Sequence, residues 1–296
     1  MDKDIINNRK AIVMAITDDG NVGPMMFQQL LMRLGAPEDF LFATEKDLND
    51  IPGLDNEKTA LILESLDRID EYITRLEYYK NIKTNVVTFL DDDYPIVLRE
   101  ISDPPPILYY RGEYSIIDIN YIAIVGTTMP SQAGIRLSVD LAKAIVDRGY
   151  GIISGLAAGI DCAAHLAVLK AGGLTTAVLG CGFDKIYPPE NELIAQNILN
   201  SGGLLISEVA PETEVAKPGL ITRNRLISAL SKAVVVAEVG EKSHGELHTA
   251  KFAHKQARPI FYGDPENNLK SETITDMPGV IINDVSAQDE ILKYII

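Results

Sequence analysis

A glycine-rich stretch in the middle of the chain has the residue types and spacing of a phosphate-binding loop. Gly151–His165 reads as a buried strand, a loop with Gly155 and Gly159, and the first turn of a helix. Glycine at these two positions permits a tight turn and a close approach to a ligand. Asp161 is predicted to cap a helix that starts at Cys162, which would leave free backbone N–H groups facing an anion. A plain strand-to-helix turn is the alternative, and glycine spacing alone does not separate the two.

The stretch just before it has the same pattern. Tyr121–Gly126 is an apolar run that ends in glycine, and Thr127–Ser131 follows as a loop. Ser131 is predicted to cap a helix that reaches about Asp147 and has apolar residues on one face. Two strands therefore each end in a loop of small residues that opens a helix. In an open α/β sheet such loops gather at the carboxyl ends of the strands, where ligands bind.

Cationic residues follow later strands. Lys185 comes after a predicted strand and is expected on the same edge as the glycine loops. Arg223 and Arg225 lie two apart at a loop-to-helix junction, where both could form forked hydrogen bonds to one anion. The alternative is that they pair with Glu208 or Glu238 inside the domain.

These features define a candidate site for DNA or phosphate, with no catalytic residue, metal or cofactor predicted. Asn224 is included, although we expect it to fix the loop rather than touch the ligand. The candidate residues are Gly126, Thr127, Thr128, Ser131, Ser154, Gly155, Gly159, Lys185, Arg223, Asn224, Arg225, Ser243 and Gly245.

Two clusters invite a metal interpretation, and we predict a metal at neither. His244 and His248 lie four apart with His254 nearby, but a third and fourth zinc ligand at the usual spacing are lacking. Asp91–Asp93 is expected to be a solvated turn rather than a cation site. His165 is expected to be a structural residue that is hydrogen-bonded in the core.

The elements that must position these residues follow a regular alternation from about residue 115, which predicts a parallel, doubly wound sheet. Strands are predicted near 122–126, 151–154, 175–180, 204–207, 233–239, 259–262 and 280–283. Helices are predicted near 131–147, 161–171, 190–200, 223–230 and 246–256.

The chain before this α/β region is predicted to be a small helical domain over residues 1–84, followed by a linker and lead-in strand over 85–114. The α/β domain then covers 115–296. Within the helical part, helices are expected over Met25–Leu34 and about 56–80. The glycine turns between them resemble helix-hairpin-helix modules, whose N–H groups can hold a DNA phosphate. A folding or dimer-contact role is the alternative.

Composition limits the partners of this chain. The 296 residues are 46% hydrophobic, and the formal net charge of −15 argues against a general nucleic-acid binder. The charge is uneven, because residues 215–258 contain eight basic and three acidic residues. Two cysteines imply no disulfide framework, and no apolar run approaches the length of a membrane span. A cytoplasmic protein without a signal peptide or membrane contact is expected.

The motifs resemble the DNA-processing protein A family, also called Smf, and its Rossmann-like core. The matching runs are Ser154–His165, Gly172–Gly180, Tyr187-Pro188, Ser207-Glu208 and Arg223–Ser228. The resemblance implies a Rossmann-like sheet, binding of single-stranded DNA, help in loading a recombinase, and a homodimer formed through the Rossmann-like domain.

Three departures from the family pattern bear on DNA binding. Thr128 and Ala158 stand where the family has arginine, and Ser243–Ala250 is one residue longer than the family's version and includes Glu246. Two expected cations are therefore missing from the DNA site. Affinity for long single strands should accordingly be weaker, or binding limited to a short ligand.

Three hypotheses follow. The first is a non-enzymatic accessory protein that binds single-stranded DNA in DNA processing and recombination. The second is a Rossmann-like regulator that binds a nucleotide, or an antitoxin with a toxin partner in a defence system. The third is an enzyme similar to the phosphoribohydrolases, in which Glu246 would stabilise an oxocarbenium-like centre. Gly245, Glu246 and Thr249 match that family's motif only loosely.

Overall fold

The fold is described from a computed structural model, which describes residues 3–240, 245–267, 269, 274 and 276–293, with side chains from residue 8 onward. Contacts divide the chain into two compact units. The helical unit contains the described residues up to Tyr110 together with Glu208–Ala210, and the sheet unit contains Arg111–Ser207 and the described residues from Pro211 onward. Among the described residues, no helix combines the length and the apolar character needed to cross a bilayer.

The helical unit is built around its first helix. Its helices are α1 (Lys3–Asp18), α2 (Pro24–Leu34), α3 (Pro37–Phe40), α4 (Glu45–Asn49), α5 (Asn56–Asp67), α6 (Ile69–Asn81) and α7 (Ile96–Arg99). Six consecutive residues of α1, from Ala11 to Ile16, are fully buried, as expected of a helix that is surrounded by others. The helix predicted near 25–34 is confirmed, and the one predicted over 56–80 is two helices that meet at Arg68.

Two short strands complete the helical unit. Strands β1 (Asn85–Thr88) and β2 (Ile107–Gly112) pair antiparallel, with Val86 opposite Tyr109. The described residues between 85 and 110 therefore group with the helices; the sequence predicted a linker and a lead-in strand over 85–114. The Asp91 carboxylate accepts hydrogen bonds from the N–H (2.7 Å) and hydroxyl (3.1 Å) of Thr88. It thus fixes the turn after β1.

The sheet unit contains seven parallel strands. They are β3 (Tyr121–Val125), β4 (Gly151–Ser154), β5 (Thr175–Leu179), β6 (Leu204–Ser207), β7 (Ser231–Val236), β8 (Ile260–Gly263) and β9 (Val280–Ile282). Their order is β6-β5-β4-β3-β7-β8-β9, and every neighbouring pair is parallel. All seven predicted strands are confirmed to within a few residues, as is the doubly wound α/β class.

Helices follow the strands. They are α8 (Gln132–Val146), α9 (Ile160–Ala171), α10 (Glu192–Asn200), α11 (Lys217–Thr222), α12 (Asn224–Ala229), α13 (Glu246–Lys255) and α14 (Gln288–Lys293). Ile122 and Ile152 of the sheet pack with Leu141 of α8 and Val168 of α9 in one hydrophobic core. The five predicted helices are confirmed, while α11 and α14 were not predicted.

The strand order reverses at one place. From β3 the chain moves outward through β4, β5 and β6, and then returns to the other side of β3 as β7, β8 and β9. The loops that leave β3 and β7 therefore diverge and open a crevice at the carboxyl edge of the sheet. Such a switch point is where open α/β sheets bind ligands.

Candidate functional site

A cavity of about 410 Å³ lies at this switch point. Its walls come from the loops after β3, β4, β5 and β7 and from helices α11, α12 and α13. Six of the predicted site residues line it: Gly126, Thr128, Gly155, Arg223, Asn224 and Gly245. The predicted residues Thr127, Ser131, Ser154, Gly159, Lys185 and Arg225 are not in its wall, and Ser243 lies outside the described residues.

The first predicted anion site, at the start of α8, is filled by a carboxylate of the chain itself. Ser131 caps α8 as predicted, since its hydroxyl accepts a hydrogen bond from the Gly134 N–H at 3.0 Å. The Glu238 carboxylate, which follows β7, accepts from the Ser131 N–H (3.0 Å) and hydroxyl (3.1 Å). The Thr127 N–H also donates to the Glu238 carbonyl, at 3.0 Å. These donors hold two loops together and do not point to a ligand.

The second predicted anion site, after β4, is also filled from within. Helix α9 begins at Ile160, so Asp161 lies in its first turn and is not the cap that the sequence predicted. The Asp161 carboxylate accepts from the N–H groups of Gly155 (3.0 Å) and Ala157 (3.4 Å). Burial raises the pKa of Asp161, and the neighbouring Arg223 guanidinium opposes this rise. The N–H groups expected to face a phosphate are therefore bound to Asp161.

Gly159 is required by the path of the chain rather than by a ligand. Its φ of 78° is left-handed, and a Cβ there would lie 2.4 Å from the Thr127 carbonyl oxygen. Ser154 is likewise structural, because it is fully buried and its hydroxyl donates to the Ile124 carbonyl at 2.6 Å. Both residues bring the loops after β3 and β4 together, which positions the cavity wall.

Arg223 forms the floor of the cavity and is only 6% exposed. Its guanidinium donates to the carbonyls of Gly155 and Val178, which end strands β4 and β5. A side chain on Gly155 would overlap this guanidinium, so the glycine is needed to admit it. Burial lowers the pKa of Arg223, and the Asp161 carboxylate opposes that shift.

The structure does not bring Arg225 to the cavity, which corrects the prediction that both arginines reach one anion. Arg225 is 1% exposed, and its carbonyl accepts from the Gln256 side chain of the loop after α13, at 3.1 Å. All six residues of α12 are buried, so Arg225 is packed inside the unit. Lys185 is exposed, and its ammonium contacts the Glu214 carboxylate at 2.5 Å.

Several wall residues were not among the predicted set. Tyr187 and Pro188 come from the loop after β5, Leu220 and Ile221 from α11, and His248 from α13. Tyr187 and Pro188 were visible in the sequence as a motif, but nothing assigned them to a wall. The short helix α11 has no periodic pattern to reveal it, and His248 was considered only as a metal ligand.

Two lysines and a histidine lie close together at one side of the cavity. Lys217 begins α11, and Lys251 lies one turn after His248 on α13, so the last two share a helix face. Partial burial lowers the pKa of His248, and the charges of Lys251 and Lys217 lower it further. Both lysines are exposed, and neither forms an ion pair with any residue that the structure describes. We call Lys217, His248 and Lys251 the cationic rim.

Two further charged groups were assigned from sequence. His165 is fully buried with Nδ1 2.8 Å from the Thr175 hydroxyl, as predicted, and burial lowers its pKa to about 3. Glu246 lines the cavity at the start of α13, and its carboxylate accepts from the Gly240 N–H at 2.8 Å. Among the described residues, no group of three or more His, Cys, Asp or Glu is arranged to hold a metal ion.

Sequence comparison relates the chain to DNA-processing proteins. A family model described as DNA recombination-mediator protein A matches residues 85–284. Protein Smf of Synechocystis sp. is 35% identical over 259 residues, which cover 86% of this chain and 64% of that protein. DNA processing protein DprA of Bacillus subtilis is 37% identical over 209 residues, or 70% of each chain. The chain thus spans less than two thirds of the Synechocystis protein.

Solved structures give the same relation. DNA processing protein A from Streptococcus pneumoniae matches with a TM-score of 0.73 at 27% identity, covering 95% of this chain and 94% of that one. The Helicobacter pylori protein, whose structure is described for its single-stranded DNA binding mode, matches with a TM-score of 0.62 at 28% identity. That match covers 70% of this chain and 96% of the Helicobacter chain.

Proposed function

This chain belongs to the DNA recombination-mediator protein A family, and from that premise we propose that it binds single-stranded DNA as a non-enzymatic accessory protein in DNA processing and recombination. The observation that carries the proposal is the cationic rim of Lys217, His248 and Lys251 beside the switch-point cavity. Affinity for a nucleic-acid strand comes mainly from cations that neutralise phosphates. The rim supplies such cations in a chain whose overall charge is −15.

The contacts of the charged residues around the cavity favour binding of the DNA backbone at the cationic rim over phosphate binding on the loops. Asp161 holds N–H groups of the loop after β4 and Glu238 holds the Ser131 N–H before α8, so a phosphate would have to displace a carboxylate from these N–H groups. Arg223 is engaged by two carbonyls below the cavity. The exposed lysines of the cationic rim form no ion pair with described residues, so they can contact the phosphates of a DNA strand.

The contact of the Glu246 carboxylate favours binding without catalysis. A glycosidic cleavage would need a carboxylate beside the sugar, and Glu246 is the wall residue in question. Its carboxylate accepts from the Gly240 N–H and so serves the loop after β7. A recombinase as protein partner and a homodimer remain predictions from the family resemblance.

The test removes the two lysines of the rim together. Lys217→Ala/Lys251→Ala should weaken binding of a fluorescent oligothymidylate to the full chain roughly thirtyfold, at about 1 kcal/mol for each lysine–phosphate interaction removed. The slope of log K against log salt should also become shallower by about 0.7 for each phosphate that the variant no longer neutralises. Fluorescence anisotropy over a salt series measures both quantities.

The matched control is Lys232→Ala/Lys255→Ala, which removes the same charge elsewhere. Lys232 lies at the amino end of β7, and Lys255 ends α13, so both lie at the edge of the sheet opposite the cavity. The control should bind as the parent does. If the two double variants bind equally, the rim is not the DNA site, and if the parent fails to bind at low salt, the proposed function is wrong.

A nucleotide is the second candidate ligand, because one observation favours it. The cavity volume of about 410 Å³ lies within the range of small-molecule sites. Mononucleotides run beside the oligonucleotide in the same assay separate the two candidates. Saturable binding of a mononucleotide, without affinity for the oligonucleotide, would favour the nucleotide-binding regulator.

A further inference from the structure

The segment that follows β6 lies along the loop that follows β5. The Gly182 N–H donates to the Thr213 carbonyl at 2.9 Å, and the Asp184 N–H donates to the Pro211 carbonyl at 3.0 Å. Two backbone hydrogen bonds, two residues apart on each segment, fix the register of these segments. The two segments therefore run antiparallel beside each other.

Lys185 and Glu214 lie just outside the bonded residues, at opposite ends of the paired stretch, and their long side chains meet in an ion pair. The Lys185 ammonium lies 2.5 Å from the Glu214 carboxylate, and the two side chains are 75% and 74% exposed. The Glu214 carboxylate raises the pKa of Lys185, and Lys185 lowers the pKa of Glu214. The pair is ionised at neutral pH and lies open to solvent, where a phosphate can reach it.

Lys185 belongs to the same loop as part of the cavity wall. That loop provides Gly180, Tyr187 and Pro188 to the wall, two to five residues from the lysine. The sequence predicted Lys185 as a ligand contact because it follows a strand and was expected on the same edge of the sheet as the glycine loops. In the structure its charge is directed to Glu214, whereas the lysines of the cationic rim form no ion pair with described residues.

We propose that Glu214 limits the affinity of this chain for single-stranded DNA by holding Lys185 away from the phosphate backbone. The inference rests on the proposed function: the exposed Glu214 carboxylate competes with DNA for Lys185. A DNA phosphate and the Glu214 carboxylate compete for the same ammonium, since each is a singly charged oxygen acceptor. The strand therefore binds Lys185 only when Glu214 releases it.

The expected effect is modest and has a definite sign. Exposed ion pairs are weak, so removing the competing carboxylate should tighten oligonucleotide binding roughly two- to fivefold. The slope of log K against log salt should steepen by up to about 0.7, the value for one more neutralised phosphate on a single strand. Both changes require Lys185, which makes the effect a coupling between two side chains.

The experiment compares Glu214→Gln, Lys185→Gln and the double variant in the full chain, by anisotropy with fluorescent oligothymidylate over a salt series. Glu214→Gln should bind more tightly than the parent, and the double variant should bind no more tightly than Lys185→Gln. Glu290→Gln on α14 is the matched control, because it removes one exposed carboxylate far along the chain from the loop. It should match the parent.

The outcomes separate this inference from the proposed function. If the parent binds and Glu214→Gln tightens binding no more than Glu290→Gln does, the inference is overturned while the proposed function stands. Tighter binding that persists in the double variant also overturns it, since the effect would then come from the change in net charge and not from Lys185. If no variant binds oligonucleotide at low salt, both the inference and the proposed function are overturned.

Discussion

Charged side chains around the cavity fall into two groups at the scale of single residues. Asp161, Glu238 and Arg223 are engaged by backbone groups and hold loops in place. Lys217 and Lys251 of the cationic rim are exposed to solvent, and His248 is half-buried in the cavity wall beside them. Asp161 and Arg223, which belong to the sequence motifs, therefore hold loops in place. Residues outside those motifs can contact a ligand.

His248 makes DNA binding depend on pH. Burial and the two rim lysines lower its pKa below the ordinary 6.5, so it is neutral at pH 7. A phosphate nearby favours the protonated form, so binding takes up a proton. Affinity for oligothymidylate should therefore rise as the pH falls from about 6.5, through the lowered pKa, and be flat above neutrality.

Oligonucleotide binding measured between pH 5 and pH 8 at fixed ionic strength checks this expectation. His248→Gln should remove the rise, while His254→Gln, near the end of the same helix, should keep it. The other charged group of the wall on this helix is Glu246. A rise that survives in His248→Gln would assign the proton to another group.

Helix starts are the important feature at the scale of elements. The start of α8 is closed by Glu238, and Gly134 makes this closure sterically allowed. A Cβ on Gly134 would lie 1.7 Å from a Glu238 carboxylate oxygen and 3.1 Å from its Cβ. The contact between the cap of α8 and the residue that follows β7 therefore requires the glycine at position 134.

Gly134→Ala should lower the free energy of unfolding by about 1–2 kcal/mol. Alanine favours a helix by about 1 kcal/mol over glycine, but here it displaces the Glu238 carboxylate and its charge-assisted hydrogen bonds. Urea unfolding followed by circular dichroism measures the change. Gly245→Ala, at the start of α13 where a Cβ meets no atom within 4 Å, should change stability little. Equal effects of the two substitutions would mean that the Glu238 contact contributes nothing.

Sequence reasoning predicts the elements of this chain better than its ligand contacts. Strands such as Tyr121–Val125 are continuous apolar runs and helices such as α8 have a clear apolar face, so period and capping identify both. The role of Asp161 was missed because an acidic residue near a helix start looks the same whether it caps the helix or holds the preceding loop. Arg225 was assigned to the ligand site and is buried instead, because burial is decided by packing between elements, which spacing along a chain does not reveal.

Charge is distributed unevenly along the chain at the scale of the whole molecule. Residues 1–114 contain 12 basic and 22 acidic residues, whereas 215–258 contain eight basic and three acidic residues. A nucleic-acid strand is therefore expected on the sheet unit, where the cationic rim lies, and not on the glycine turns of the helical unit. Self-association stays a prediction; Ile281 of the edge strand β9 is 50% exposed and offers one apolar contact.

Hydrogen exchange of the full chain, measured with and without oligothymidylate, tests the central claim most directly. The account predicts slower exchange in the bound state over residues 182–188, 217–222 and 245–251, which carry Lys185, the cavity wall and the cationic rim. Exchange near Lys232 and Lys255, at the opposite edge, should be unchanged. Slower exchange confined to the glycine turns near residues 20–24 and 51–54 would instead assign DNA binding to the helical unit and contradict the account.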